Sequence, residues 1–153
     1  MLDRFERFTN SIARISEYWN KLASEEMKKY NLKGPHVTYL ICLYRHPDGI
    51  TSAELSKLCH KDKAEVSRSV TLLEKEKILI RENVNGNSYR ALLKLTDKGK
   101  SAAINLCERA SLAVTFGGEG LNDSKREVFY DALETVASNL QNLSDAGLPD
   151  KKI

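Results

Sequence analysis

The chain has 153 residues and a net charge of +3, with 41% hydrophobic and 29% charged residues, the balance of a globular protein with room for one real core. No apolar run approaches the ~18 residues that a membrane span needs. The start, MLDRFERFTNSIARI, is charged and amphipathic, unlike a secretory leader, and three widely spaced cysteines (Cys42, Cys59, Cys107) argue for a reducing cytoplasm over a disulfide framework. Charge is unevenly spread. Residues 45–100 hold 12 Lys/Arg against 8 Asp/Glu, and residues 101–153 hold 5 against 8, so the middle is basic and the C-terminal part acidic. Scatter on a solvated surface also produces such a pattern, and charge alone decides nothing.

Residues 2–30 read as a long amphipathic helix. Phe5, Phe8, Ile12, Ile15, Trp19 and Leu22 recur at spacings of 3, 4, 3, 4, 3, the pattern of a narrow packing seam. Gly34 and Pro35 end it. Val37 to Arg45 is apolar on most sides and is expected to be a buried helix, closed by the turn His46-Pro47-Asp48-Gly49.

Thr51, with Glu54 three residues on, is a capping box for a short helix, and Asp62 with Glu65 repeats the arrangement for the next. Only Cys59 to Lys61 separate the two, and helices joined by so tight a turn must cross steeply, as in a helix-turn-helix. The second of them has an unusual exterior. Val66, Ser69, Val70 and Leu73 share one face, while Ala64, Ser67, Arg68, Thr71 and Lys75 share the other, with Lys61 and Lys63 at the entry. A helix that merely covers a core usually shows water a mixed coat of Glu and Lys. This one is slim and polar around a single arginine.

Two strand-like runs, ILIRENV and NSYRALLKL, flank Asn85-Gly86, the strongest two-residue hairpin signal. Leu95-Thr96-Asp97 leads into a helix to about Phe116, and Gly117, Gly118 and Gly120 break the chain. Ser124 and Glu127 are then expected to cap a last helix, where Phe129, Leu133, Val136, Leu140 and Leu143 again space at 4, 3, 4, 3. The fold expected is therefore mainly α with a small β-hairpin wing: a winged helix-turn-helix with a seam-bearing helix at each end, two helices that could pair two copies or pack on one another within one chain.

That architecture explains the slim face. A recognition helix in a major groove must let its backbone approach while offering hydrogen-bonding groups to bases and phosphates. Ala64, Ser67 and Thr71 supply slimness and hydroxyls, Arg68 reaches a guanine edge or a phosphate, and Lys61, Lys63 and Lys75 suit phosphates. Ser52 on the preceding helix, and Arg81, Asn85, Asn87 and Arg90 on the hairpin, complete the expected DNA-binding set.

In GPHVTYLICLYRHPDGITSAELSKLCHKDKAEVSRSVTLLEKEKILIR, then KLTDKGK, then LNDSKREVFYDALETVASNL, the chain resembles the MarR-type winged-helix transcriptional regulators. No single motif is highly specific; their order and spacing together are. The resemblance implies a homodimer on double-stranded DNA, assembled through the first and last helices: Phe5, Phe8 and Ile12 on one, Phe129, Leu133, Val136, Leu140 and Leu143 on the other. It also implies that a small ligand or oxidant often releases the DNA. For an aromatic or phenolic ligand, Tyr18, Trp19, His36 and Tyr39 would line the pocket, and core packing accounts for the same residues equally well. Residues 1–146 are expected to form one domain, with 36–99 as the DNA-binding lobe, 1–35 and 100–146 as dimerisation helices, and 147–153 as a frayed tail.

Two positions depart from the family's pattern. Its usual L-E-x-x-G ends here in Lys77, which either accepts about 1 kcal/mol of backbone strain or lets the helix end differently. Its D-R-R in the wing aligns with Asn87-Ser88-Tyr89, and Arg90 follows one position late. Other chemistry is sparse. Cys42 and His46 at i, i+4 lack the further ligands of a metal site. Cys59 beside His60 and Lys61 suggests a lowered thiol pKa, hence a thiol-based redox-sensing regulator as one alternative. A winged helix used for protein binding is another. No nucleophile elbow or phosphate loop supports an enzyme, and no cofactor is expected.

Overall fold

The seam spacing at the N-terminus does produce a helix, α1, over Leu2–Lys28. In the computed structural model, which describes the backbone of residues 2–84 and 87–148 and the side chains of 3–83 and 91–148, seven further elements follow. They are α2 (His36–Tyr44), α3 (Ser52–Leu58), α4 (Lys63–Lys75), β1 (Leu79–Val84), β2 (Asn87–Leu95), α5 (Asp97–Gly117) and α6 (Asp123–Ala146). The chain divides into two compact units, Met1–Ala110 and Ser111–Ile153. No described helix is long and apolar enough to cross a membrane.

Side-chain caps set the starts of α3 and α4. Thr51 Oγ1 accepts from the Glu54 N–H at 3.3 Å and Glu54 Oε2 accepts from the Thr51 N–H at 2.7 Å, the full capping box on α3. At α4 only half the box forms. Asp62 accepts from the Glu65 N–H at 2.8 Å, but the Glu65 carboxylate turns to Tyr39 and Lys61 instead.

Helix ends follow one rule three times. After α1, α3 and α4 the chain turns through left-handed residues, none of them glycine: Asn31 (φ 57°), His60 (φ 51°) and Lys77 (φ 58°). Each turn is closed by the same pair of bonds, and at α4 the Ile78 N–H reaches Leu73 O and the Lys77 N–H reaches Glu74 O, both at 2.9 Å. This is the Schellman motif, with Ile78 and Leu73 both fully buried as its hydrophobic contact. So Lys77 takes the strained option: the helix ends where glycine would end it.

The two strands form an antiparallel hairpin, paired from Leu79 with Leu95 to Glu82 with Leu92; the register then breaks before Val84 meets Asn87. A third piece of chain joins it, since Ile50 and Leu93 exchange both backbone bonds at 3.3 and 2.8 Å. Ile50 comes directly after the turn that precedes α3, so this bridge fastens the helix-turn-helix to the hairpin. Lys94 and Glu82 pair across the strands.

The core lies within the first unit. Leu40 and Leu43 of α2, Leu55 of α3, Val66, Val70 and Leu73 of α4, and Ile78, Leu79 and Leu93 at the hairpin are all about fully buried and form one cluster. Burying one such side chain contributes roughly 1.5–3 kcal/mol. At the start of α5, Thr96 Oγ1 donates to Lys77 O at 2.7 Å and accepts from the Gly99 N–H at 3.1 Å, so one hydroxyl caps α5 and holds the turn after α4.

In the second unit the cap of α6 differs from expectation. Asn122, not Ser124, is the N-cap: its backbone is extended (ψ 168°) and its side chain accepts from the Lys125 N–H at 2.9 Å. Asn caps as well as Ser, and Ser124 falls inside the first turn, where its own backbone is already helical. Arg126 steadies the preceding turn, donating to Gly118 O at 3.0 Å and Leu121 O at 3.1 Å.

Candidate nucleic-acid interface

The two faces of α4 separate as its sequence requires. Val66, Ser69, Val70 and Leu73 are buried, and Lys63, Ala64, Ser67, Arg68, Thr71 and Lys75 are exposed. Burial of the first set against α2, α3 and the hairpin base fixes the second set in a row facing water. Thr71 Oγ1 donates to Ser67 O at 2.9 Å, so its hydroxyl hydrogen is committed and its oxygen is left to accept. Among the described residues, Lys63, Arg68 and Lys75 make no ion pair, and their charge faces solvent uncompensated by a bonded carboxylate.

Two other cations of the expected set are already engaged. Lys61 Nζ lies 3.3 Å from Glu65 Oε1. Arg81 Nε donates to Glu74 Oε2 at 2.9 Å, which ties the hairpin base to the end of α4. Ser52 is half-buried at the first position of α3. Asn85 and the side chains of Asn87 and Arg90 lie outside the described residues.

Behind this face is a polar link that sequence patterning missed. Tyr39 of α2 is fully buried, and its hydroxyl donates to Glu65 Oε1 at 3.2 Å. Burial pushes the phenol above its ordinary pKa, so it stays a donor. His36 stands one turn earlier, its ring centroid 6.3 Å from that of Tyr39, and its Nδ1 accepts from the Lys33 N–H at 3.0 Å. Burial pulls this imidazole below the usual histidine range, which agrees with a neutral ring accepting a hydrogen bond.

Of the residues assigned to an aromatic ligand, His36 and Tyr39 are therefore core groups, whereas Tyr18 and Trp19 stand largely exposed on α1. The seams are exposed as well. Phe5, Phe8, Ile12, Phe129, Leu133, Leu140 and Leu143 each show about a third or more of their surface, and α6 has no buried residue at all. Val136 is half-buried.

The lowered thiol pKa expected at Cys59 is not found. Cys59 is buried, and desolvation with the neighbouring Cys42 thiol pushes its pKa up to about 12, against the weaker pull of Lys61. Sequence neighbours suggested an activated thiolate, but His60 faces water and the low dielectric dominates. His46 Nδ1 lies 2.7 Å from the carbonyl oxygen of Cys42, so the i, i+4 pair meets through backbone and not through sulfur. Among the described residues no group of three or more His, Cys, Asp or Glu is placed to hold a metal.

Residues 30–87, the span from the end of α1 to the start of β2, match the model of the MarR family. Solved structures extend the likeness to nearly the whole chain. A MarR-family transcriptional regulator of Listeria monocytogenes complexed with 26mer DNA superimposes with a TM-score of 0.77 at 21% identity, covering 94% of this chain and 97% of its own. The fold is that of the MarR regulators. A MarR transcriptional regulator from Methanosarcina mazei Go1 (TM-score 0.77, 22% identity, 90% and 92% covered) and the S. aureus MepR–DNA complex (0.77, 18%, 86% and 97%) share it. No curated protein matches the chain significantly in sequence. In this MarR-type fold α4 has the position of the second helix of a helix-turn-helix, and β1 and β2 form the wing.

Proposed function

We propose that the protein is a homodimeric MarR-type transcriptional regulator, acting as a ligand-responsive repressor on a pseudo-palindromic duplex. The observation that carries this reading is the row Ala64, Ser67, Arg68 and Thr71 on α4, exposed, slim and headed by an arginine with no described ion-pair partner. A major groove accepts a helix of that profile, and a guanidinium there bonds a guanine edge or a phosphate. Residues 36–99 would form the DNA-binding lobe. Residues 1–35 and 100–146 would pair two copies, since apolar seams left open on α1 and α6 ask for a partner helix.

Selection of bound duplexes from a random pool, followed by footprinting and light scattering, tests the reading. Two half-sites about 10 base pairs apart, or a multiple of that, protected by a dimer, is the expected result. A protein that enriches no sequence, with binding insensitive to salt, would overturn it in favour of a protein-binding winged helix.

A further inference from the structure

The half-formed cap of α4 has a consequence for binding. Glu65 is placed to return a bond to Asp62 and complete the capping box, yet its Oε1 is held between two other groups: the buried Tyr39 hydroxyl at 3.2 Å and Lys61 Nζ at 3.3 Å. Tyr39 is immobile, being fully buried in the core, so it fixes where the carboxylate stands. Lys61 follows the left-handed turn at His60, where Ser56 Oγ donates to its carbonyl at 2.6 Å, so its backbone is fixed too. Its side chain is only partly exposed, at 37%, against 32% for Glu65.

We propose that Tyr39 and Glu65 form a tether that holds the Lys61 ammonium back from a phosphate, making Glu65 a built-in restraint on DNA affinity. This rests on the reading of α4 as the DNA-contacting helix. Neither Tyr39 nor Glu65 need touch the duplex; both are positioning residues acting through Lys61. The pair is half-exposed and screened, so the restraint is modest, and a phosphate competes for Lys61 on nearly equal terms.

The test is a cycle of variants read by duplex affinity across a salt series. Glu65→Gln keeps an oxygen for the Tyr39 hydroxyl but releases Lys61. Affinity should rise roughly threefold to tenfold, and the log–log salt slope should steepen by about 0.9, one added phosphate neutralisation. In a Lys61→Met background the same change should give no gain. An equal gain with and without Lys61 would mean that Glu65 acts only by general repulsion, and the proposal would fall. Tyr39→Phe deletes the hydroxyl and keeps the ring, so it should move affinity and slope the same way as Glu65→Gln, by less; unchanged binding would overturn the tether. The Lys61 ammonium resonance, assigned by its loss in Lys61→Met, reports the pair without DNA and should shift in Glu65→Gln. No shift overturns the tether whatever the duplex does. A shift in a protein that binds no duplex at low salt overturns the role in affinity by failure of the DNA-binding reading itself.

Discussion

Gly99 stands so close beneath Ile78 that a Cβ added to it would meet the Ile78 carbonyl oxygen at 2.0 Å. The glycine is needed for approach, not for conformation. Its N–H bonds Thr96 Oγ1, whose hydroxyl also holds Lys77 O, so the first turn of α5, the end of α4 and the base of the hairpin meet at one point. Ile78 is fully buried and cannot yield. Gly99→Ala should therefore cost about 3 kcal/mol in urea unfolding, the upper end for overpacking a core. A loss under about 0.5 kcal/mol would show that the contact relaxes freely.

What could be read in advance was what neighbours in sequence decide. Thr51 and Glu54 capped α3, the valines of α4 turned inward, and the strands on either side of Asn85-Gly86 paired, all from interactions within a few residues. What could not be read joins distant positions. Thr96 bonds Lys77, Tyr39 bonds Glu65 and Arg81 bonds Glu74, and none of these leaves a periodic signal. Cys59 shows the same limit from the other side, since its neighbours suggested a lowered thiol pKa and its burial raises it instead. At Lys77 the sequence left two endings open, because the choice rests on Ile78 docking against Leu73 in the core.

That docking makes Lys77 a stabilisation site. Its side chain is exposed and no described ion pair uses it, while its φ of 58° is one that a Cβ disfavours. Lys77→Gly should raise stability by about 0.5–1 kcal/mol, relief of left-handed strain less the added freedom of the unfolded chain. Asn31→Gly, the same geometry with a residue that tolerates it better, should gain less. Equal or reversed effects in chemical unfolding would refute this account of the helix end.

His36 gives stability a dependence on pH. Its folded pKa is lowered by burial, so the unfolded state binds the proton more readily. The sign follows directly: the contribution is intact above about 6.5, the ordinary histidine value, and is lost as pH falls below it. His36→Gln, which can still accept from the Lys33 N–H, should unfold with a flatter dependence between pH 7.5 and 5. Carboxylates such as Glu54 and Asp62, lowered by backbone bonds, titrate below that window. Parallel curves for the two proteins would place the histidine in water.

Assembly is the next expectation. Leu133 and Leu140 lie seven residues apart on α6 and are exposed, and neither belongs to the buried core cluster. Replacing both with Asp should give monomers by light scattering, with the far-ultraviolet helix signal largely kept and two-half-site binding lost. Wild-type protein already monomeric at micromolar concentration would refute the seam assignment.

Arg68 and Arg81 separate the recognition face from the hairpin base. Both were expected at the duplex, but the guanidinium of Arg81 is held by Glu74 at 2.9 Å, whereas Arg68 has no described partner. A free, exposed cation at the centre of the slim face loses nothing within the protein when it binds DNA; a paired one must first give up its carboxylate. Arg68→Ala should therefore cost roughly 1–3 kcal/mol on the selected duplex, and Arg81→Ala less than about 1. Salt separates the two roles open to Arg68. If it reads a base edge, its removal should relax specificity at one position and leave the slope nearly unchanged. If it clamps a phosphate, binding should weaken uniformly across sequences and the slope should fall by about 0.9. Folding should be unaffected either way, because Arg68 points away from Val66 and Val70. An Arg81→Ala variant that loses more affinity than Arg68→Ala would put the hairpin base, not the α4 face, at the centre of the contact.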